Sequence, residues 1–220
     1  ISAMNAYMTN YGLYKIMLLV DTDGKVAAVN TVNNKGKTLE TSFLYDLNFK
    51  DASWFQKAMK KEFNKTEALD GTVVEQPKYD ANVAKVYGED GFTINFSAPV
   101  YDSEGNIMAV WVNFADFGLV EDIIKDYYNN VKATMPQNAF AIQDANGIAL
   151  VNFDPAVQKT EDYKRVASEI GVKKLVELEI PASEQSLKTN AGHELQLDKN
   201  SGESDAAGWS HADGALGFGG

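Results

Sequence analysis

The 220-residue chain contains no cysteine. Disulfide bonds, thiol nucleophiles and thioether-linked haem are therefore excluded. Arg165 is the only arginine, and His193 and His211 are the only histidines. No serine or cysteine nucleophile can be matched to a histidine base, so we expect no enzymatic activity. Hydrolysis by a pair of carboxylates stays open, because an acidic chain offers many such pairs.

Long apolar runs and excess positive charge are also missing. The longest uninterrupted apolar run is IMAVWV, residues 107–112, far below the roughly 20 residues of a membrane-spanning helix. The formal net charge is −11 at pH 7, which would repel nucleic acid and anionic membrane surfaces. We therefore expect a soluble globular chain whose partners are neither nucleic acids nor membrane surfaces.

One short pattern, Asp-x-x-Gly between apolar runs, occurs three times, in VDTDGKVAAVN (20–30), VYDSEGNIMAVWVN (100–113) and IQDANGIALVNF (142–153). The first copy looks like the start of a calcium loop. The twelfth residue from Asp21 is however Val32, where such a loop needs a glutamate. An aspartate that caps its own turn, followed by a glycine with positive φ, is typical of hairpins. We predict no metal site, and β-hairpins at 14–31, 92–116 and 138–153.

Three segments carry helical patterns. In residues 118–134 apolar side chains recur every fourth position, at Leu119, Ile123, Tyr127 and Val131, the period of an amphipathic helix. In residues 51–63, DASWFQKAMKKEF, Asp51 is the expected N-cap. Residues 163–180 predict a helix followed by an alternating strand.

The order of these elements predicts an α+β fold made of two modules, each with an antiparallel sheet. Pro136 follows the long helix, and proline disfavours helical continuation. We therefore place the division between the modules near residues 126–136.

Four segments, in this order, resemble the double Cache domains, which form the extracytoplasmic sensors of bacterial chemoreceptors and some membrane histidine kinases. They are LLVDTDGKVAAVN, ASWFQKAM, FTINFSAPVYDSEGNIMAVWVNFADF and GWSHADGALGFGG. The resemblance implies two PAS-like modules after a long N-terminal helix. Its ranges would be the helix end at 1–12, a ligand-binding membrane-distal module at 13–125, a connection at 126–136 and a membrane-proximal module at 137–220 that lacks its final strand.

The resemblance also implies the setting of the chain. Transmembrane helices would flank it in a longer receptor, so the chain would lie outside the cytoplasm, in the periplasm or at the cell surface. A homodimer in the intact receptor stays open, as does the type of output domain.

The binding residues of the family can be matched in part. In its amino-acid-binding members, an arginine two residues before a Trp-Tyr pair binds the ligand carboxylate, and a later aspartate binds the ammonium. Here the pair is Trp54 and Phe55, the arginine position is Ala52, and Asp116 matches the aspartate. Further pocket tyrosines correspond to Tyr79 and, two residues from the expected position, Tyr45.

Keeping Asp116 without the arginine favours an amine ligand. The cation would be boxed by aromatic rings, from Trp54, Phe55, Tyr79 and Trp111, with Asp116 and Asp51 or Asp46 to neutralise it. On an unbroken strand Trp111 and Asp116 face opposite sides, so both line one pocket only if a bulge intervenes. Asp116 is equally a candidate N-cap for the helix that begins near Gly118.

Three kinds of ligand stay open. An amine or amino acid ranks first. A small carboxylate or other polar metabolite, held by backbone N–H groups, Lys50 and Trp54, ranks second, and a binding protein ranks third. No cofactor is expected with any of them.

Overall fold

The computed structural model describes residues 1–64, 70–88, 91–135, 138–180, 182–189, 191–197 and 204–210. The predictions that concern Pro136, His211 and the GALGFGG segment lie outside these residues. Contacts divide the chain into two compact units, Ile1–Leu119 and Val120–Gly220.

The first unit is built on a six-stranded antiparallel sheet. Its strands are β1 (Tyr14–Asp21), β2 (Val26–Val29), β3 (Val73–Val74), β4 (Lys78–Tyr79), β5 (Phe92–Tyr101) and β6 (Ile107–Asp116). They run in the order β2-β1-β6-β5-β3, and β4 also pairs with β5. Its helices are α1 (Ser2–Tyr11), α2 (Ser53–Met59) and α3 (Ala81–Tyr87), with a 3-10 helix at Ser42–Asp46.

Helix α4 (Gly118–Val131) begins in the first unit and continues into the second. The second unit has two separate antiparallel strand pairs, β7 (Phe140–Gln143) with β8 (Ala149–Phe153), and β9 (Ala191–Leu197) with β10 (Ser204–Ser210). Short helices α5 (Pro155–Gln158) and α6 (Ser183–Ser186) and a 3-10 helix at Leu175–Leu178 complete it. The predicted α+β class with antiparallel sheets is confirmed.

Both faces of the six-stranded sheet are covered. On one face Leu18, Val112 and Phe114 pack against Trp54 and Phe55 of α2. On the opposite face Met17 packs against Met4 and Met8 of α1. Because successive residues of a strand point to opposite sides, β1 and β6 contribute side chains to both layers. The face beneath α2 holds the larger core.

The three predicted hairpins are present, as β1–β2, β5–β6 and β7–β8. Each turn is closed as the Asp-x-x-Gly pattern predicts. Asp21 and Asp102 each accept hydrogen bonds from two backbone N–H groups through Oδ1, and Asp144 does the same. These carboxylates close turns by local hydrogen bonds.

Some helix predictions were wrong. Ala52, and not Asp51, is the N-cap of α2. The N–H of Ala52 donates to the carbonyl of Phe49 at 2.9 Å, so Asp51 lies inside a turn, where it is exposed. Residues 163–180 form neither the predicted α-helix nor a strand. Their backbone instead bonds the β7–β8 hairpin, with the N–H of Gly171 donating to the carbonyl of Ala149.

Helix α4 is confirmed, but its predicted apolar stripe does not form the core. Ile123 and Tyr127 are 66% and 52% exposed, and the buried side chain is Tyr128. The Tyr128 ring packs edge-on against Phe153 of β8, with centroids 5.1 Å apart. Within the described ranges, no helix has the length and apolar character needed to cross a bilayer.

Two turn glycines allow a matched test of packing in the first unit. Gly24 and Gly105 have nearly equal φ, 86° and 85°, so replacement by alanine should strain the backbone by about 1–2 kcal/mol at either position. A Cβ at Gly24 would also lie 2.4 Å from the backbone nitrogen of Lys50, whereas a Cβ at Gly105 meets nothing within 4 Å. Gly24→Ala should therefore lower the free energy of unfolding by about 1–3 kcal/mol more than Gly105→Ala.

Urea denaturation of both variants measures this difference. Equal losses would show that residues 48–50 do not pack against the first turn as described.

Candidate functional site

Strand β5 carries a row of polar side chains on the face that packs against α2. Thr93, Asn95 and Ser97 alternate along the strand, and each is at most 1% exposed. Their neighbours across the sheet on β6 are, in the same order, Asp116, Phe114 and Val112. We call Thr93, Asn95, Ser97 and Asp116 the polar strip. It crosses a face that is otherwise apolar.

Hydrogen bonds satisfy part of the strip. The Ser97 hydroxyl donates to the backbone carbonyl of Trp54 at 3.1 Å, which ties α2 to the sheet. The Thr93 hydroxyl donates to Oδ1 of Asn95 at 3.3 Å. Nδ2 of Asn95 is buried and has no acceptor among the described residues. Because buried donors are almost always paired in native proteins, this nitrogen requires an explanation.

An ion pair lies at one end of the strip. Nζ of Lys15 is 3.5 Å from Oδ1 of Asp116. The pairing of β1 with β6 shifts register between Tyr14 and Ile16, so Lys15 sits at a bulge. Its Nζ is 5.5 Å from the ring centroid of Tyr87, and the Tyr87 hydroxyl donates to the Lys15 carbonyl at 2.7 Å. The Lys15 side chain is only 12% exposed, so a charge is held at the edge of the core.

Asp116 has a second role in the same place. Its Oδ1 accepts the backbone N–H of Gly118 at 2.9 Å, at the start of α4. The capping interaction considered from the sequence is therefore present. It coexists with the ion pair, since the Asp116 side chain remains 36% exposed.

A buried carboxylate borders the strip at Glu75. Its backbone N–H donates to the carbonyl of Asn95 at 3.0 Å. Its carboxylate lies 2.5 Å from Nζ of Lys78 and 3.6 Å from Nζ of Lys57 on α2. Burial by itself raises the pKa of Glu75, but hydrogen bonds from Lys78 and Ser53 outweigh it, so the pKa is lowered. Among the described residues, this cluster of two lysines and one carboxylate has one surplus positive charge.

The structure places the residues predicted for the site in different surroundings. Trp54 and Phe55 are 4% and 3% exposed and belong to the core, where the Trp54 ring contacts Phe114 of β6 at 6.3 Å. Asp116 lies on the same face of the sheet. Trp111 lies on the opposite face, among the methionines that contact α1, and its Nε1 donates to Oδ1 of Asn113.

The remaining predicted residues lie on the surface. Tyr79 is 62% exposed on strand β4, Tyr45 is 41% exposed, and Asp51 is exposed in its turn. The structure therefore places Trp54, Phe55 and Asp116 on one face of the sheet, and Tyr79, Tyr45 and Trp111 do not join them there.

Three residues of this site, Lys15, Asn95 and Glu75, were not predicted from the sequence. A signal for Asn95 exists in FTINFSAP, where Thr, Asn and Ser alternate with apolar residues, the period of one strand face. Lys15 and Glu75 carry no such signal, because a bulge and a short edge strand bring them to the site.

The second unit holds the only arginine of the chain. Arg165 is paired with Glu121 through two bonds, Nε to Oε1 at 2.7 Å and Nη2 to Oε2 at 2.9 Å. Burial lowers the pKa of Arg165 to about 10. The arginine is therefore engaged in a structural ion pair.

A cavity of about 240 Å³ in this unit is lined by Val176, Glu179, Ile180, Ala182, Ser183, Glu184 and Gln185.

No protein-family model matches the chain, and the search of curated proteins finds no match. Solved structures do match. The extracellular domain of the candidate histidine kinase rpHK1S-Z16 is 12% identical, with a TM-score of 0.54 over 96% of this chain and 71% of that one. The ligand-binding domain of Mlp24, solved with asparagine, is 12% identical, with a TM-score of 0.55 over 99% of this chain and 72% of that one.

The fold is similar to that of these extracellular and ligand-binding domains. An extracellular ligand-binding receptor from Desulfohalobium retbaense is also similar, at 13% identity and a TM-score of 0.50. The match covers 89% of this chain but only 32% of that receptor. These neighbours are sensor and receptor domains rather than enzymes, and the fold resemblance drawn from the sequence is confirmed. At such identities the likeness concerns the fold, while function has to be argued from the site.

The position of Glu75 predicts a pH dependence of stability. Because its pKa is lowered in the folded state, Glu75 stabilises the protein above its unfolded pKa, and this stabilisation is lost as the pH falls through the folded value. Glu75→Gln should lower the free energy of unfolding by about 1.5–3 kcal/mol at pH 7, and much less near pH 3.

Urea denaturation of the wild type and Glu75→Gln between pH 3 and pH 7 measures this. Glu62→Gln is the control, because it makes the same substitution at an exposed position. A loss from Glu75→Gln that stays constant with pH would contradict the ionised, lysine-paired state of Glu75.

Proposed function

We propose that the chain is the extracytoplasmic sensor domain of a transmembrane receptor, and that its first unit binds an α-amino acid at the polar strip. The fold supports the first part, because the similar solved structures are extracellular domains of kinases and receptors. One of them was solved with an amino acid, asparagine. A chemoreceptor and a histidine kinase are both compatible with such a domain.

The observation that carries the ligand class is the Lys15–Asp116 pair. It offers one positive and one negative group 3.5 Å apart beside buried polar side chains. An α-amino acid carries the complementary charges on two groups bonded to the same Cα, so its carboxylate can bind Lys15 while its ammonium binds Asp116. At a partly exposed site the protein ion pair contributes roughly 1 kcal/mol or less, so exchanging it for two ligand contacts costs little.

The same pair argues against a simple amine. From the sequence, the missing arginine favoured an amine, because the family's bidentate clamp for a carboxylate was absent. Lys15 supplies that cation. An amine bound to Asp116 would lie beside the Lys15 ammonium, and like charges at such a distance repel each other. A ligand with both charges avoids this repulsion.

Binding would act on the receptor through differential affinity. A ligand shifts an equilibrium between two signalling states only as far as it binds one state more tightly than the other. Ser97 joins the strip to α2 through the Trp54 carbonyl, and Lys57 joins α2 to Glu75. Occupation of the strip would therefore alter the position of α2. The second unit would serve as a relay or spacer.

The test is isothermal titration calorimetry of the purified chain with the twenty α-amino acids, with putrescine and choline, and with succinate. We expect binding of at least one amino acid and none of the others. Lys15→Met and Asp116→Asn should each weaken that binding by at least tenfold, about 1.4 kcal/mol, because each removes the partner of one ligand charge.

Asp102→Asn removes the same charge from an exposed turn and should leave the affinity unchanged. Binding of amines alone, tightened by Lys15→Met, would contradict the zwitterion and favour the amine. Absence of all binding would favour a protein-borne signal.

A further inference from the structure

Among the described residues, one end of the buried Asn95 side-chain amide is hydrogen-bonded and the other end is not. Its Oδ1 accepts the Thr93 hydroxyl, and its Nδ2 is buried with no acceptor in the described parts of the chain. Asn95 is 1% exposed, so bulk water does not reach it. An amide N–H in such a position is destabilising unless something accepts its hydrogen bond.

The amide lies one row along the sheet from the Lys15–Asp116 pair. Asp116 is opposite Thr93, and Phe114 is opposite Asn95. Residues two apart on a strand are separated by about 6.5–7 Å. That distance is comparable to the reach of an amino-acid side chain that begins at a Cα held near Asp116. Asn95 is therefore placed to contact the side chain of the ligand, while the charged pair contacts its backbone groups.

Charge around Asn95 disfavours a cationic side chain. Glu75, bonded to Asn95 through the backbone, is held between the ammonium groups of Lys57 and Lys78. Among the described residues at this edge, the two ammonium groups exceed the one carboxylate by a single positive charge, which attracts a partial or full negative charge and repels an ammonium. An oxygen atom that accepts a hydrogen bond fits both the charge and the unpaired N–H.

We infer that Asn95 determines specificity by donating to an acceptor oxygen on the ligand side chain. The ligand class is then an α-amino acid whose side chain ends in an amide carbonyl or a carboxylate, as in asparagine, glutamine, aspartate and glutamate. This inference rests on the proposed function and narrows it. Apolar and basic amino acids leave the Asn95 amide unpaired, and sites that hydrogen-bond a polar substrate group reject analogues that lack it.

The stability of the ligand-free protein distinguishes a specificity role for Asn95 from a purely structural role. Asn95→Leu alone would also leave the buried Thr93 hydroxyl without its acceptor, so its effect on stability is measured in a Thr93→Val background. If the amide is unpaired without ligand, Asn95→Leu in that background removes a buried unsatisfied donor and should keep or raise the Tm of the ligand-free protein. If a structural water or another protein group pairs with the amide, the same change should lower the Tm.

The experiment combines calorimetry with thermal unfolding on the wild type and Asn95→Leu. Asparagine and leucine are the main probes, because their side chains are nearly isosteric, and aspartate, glutamine and glutamate extend the acceptor set. The wild type should bind at least one acceptor-bearing amino acid at least tenfold more tightly than leucine. Asn95→Leu should reduce this preference to threefold or less, and adding it to Thr93→Val should not lower the Tm of that variant.

Asn113→Leu is the matched control. Asn113 lies on β6 but on the opposite face of the sheet, where its Oδ1 accepts from Trp111. This variant should lower the Tm and leave the ratio of affinities unchanged.

The outcomes separate the two proposals. Wild-type protein that binds leucine as tightly as every acceptor-bearing amino acid overturns the specificity role and leaves the proposed function intact. A Tm that Asn95→Leu lowers in the Thr93→Val background, with an unchanged affinity ratio, overturns it too, in favour of a structural role. Wild-type protein that binds no amino acid overturns the proposed function and this inference with it.

Discussion

The first unit depends on one constraint, the burial of polar side chains on a sheet face that also carries the core. A hydroxyl or amide removed from water must find a partner, because leaving it unpaired costs about 1–3 kcal/mol. The Ser97 hydroxyl donates to the Trp54 carbonyl, and that bond holds helix α2 against the sheet. Trp54 in turn closes the core by packing on Phe114. The polar strip is therefore held rigidly where Ser97 bonds helix α2, and among the described residues it has an unpaired hydrogen-bond donor at Asn95.

The charges around the strip differ from those of the whole chain. The protein carries a net charge of −11, yet here Lys15 pairs with Asp116, and Lys57 and Lys78 both pair with Glu75. An acidic surface alone would repel carboxylate ligands. Lysines placed at the strip offset this effect locally. A zwitterion is less affected by the outer charge than an anion, because its net charge is zero.

Local patterns made much of the fold predictable. The three Asp-x-x-Gly turns depend on residues within five positions of one another, and each formed as expected. Helix α4 was found from its period, but which face is buried depends on distant partners, so Tyr128 and not Tyr127 entered the core. Asp51 is not the N-cap because it lies inside the turn that the Ala52 N–H closes on the Phe49 carbonyl. Residues 163–180 bond to a hairpin, which no local period reveals.

The site was harder to predict for the same reason. Asp116 and Trp54 could be matched to a family pattern, and the alternation of Thr93, Asn95 and Ser97 is visible in the sequence. Lys15 on β1 pairs with Asp116 at the end of the neighbouring strand β6, where the pairing of the two strands shifts register. Glu75 pairs with Lys57 of helix α2. Non-local pairings of this kind follow from the sheet order and not from spacing along the chain.

A crystal structure of the chain grown with asparagine tests the central claim most directly. We expect density for the amino acid on the polar strip, its carboxylate on Lys15, its ammonium on Asp116 and its side-chain oxygen on Nδ2 of Asn95. A ligand found elsewhere, or a Lys15–Asp116 ion pair that persists while calorimetry shows saturation, would contradict the account.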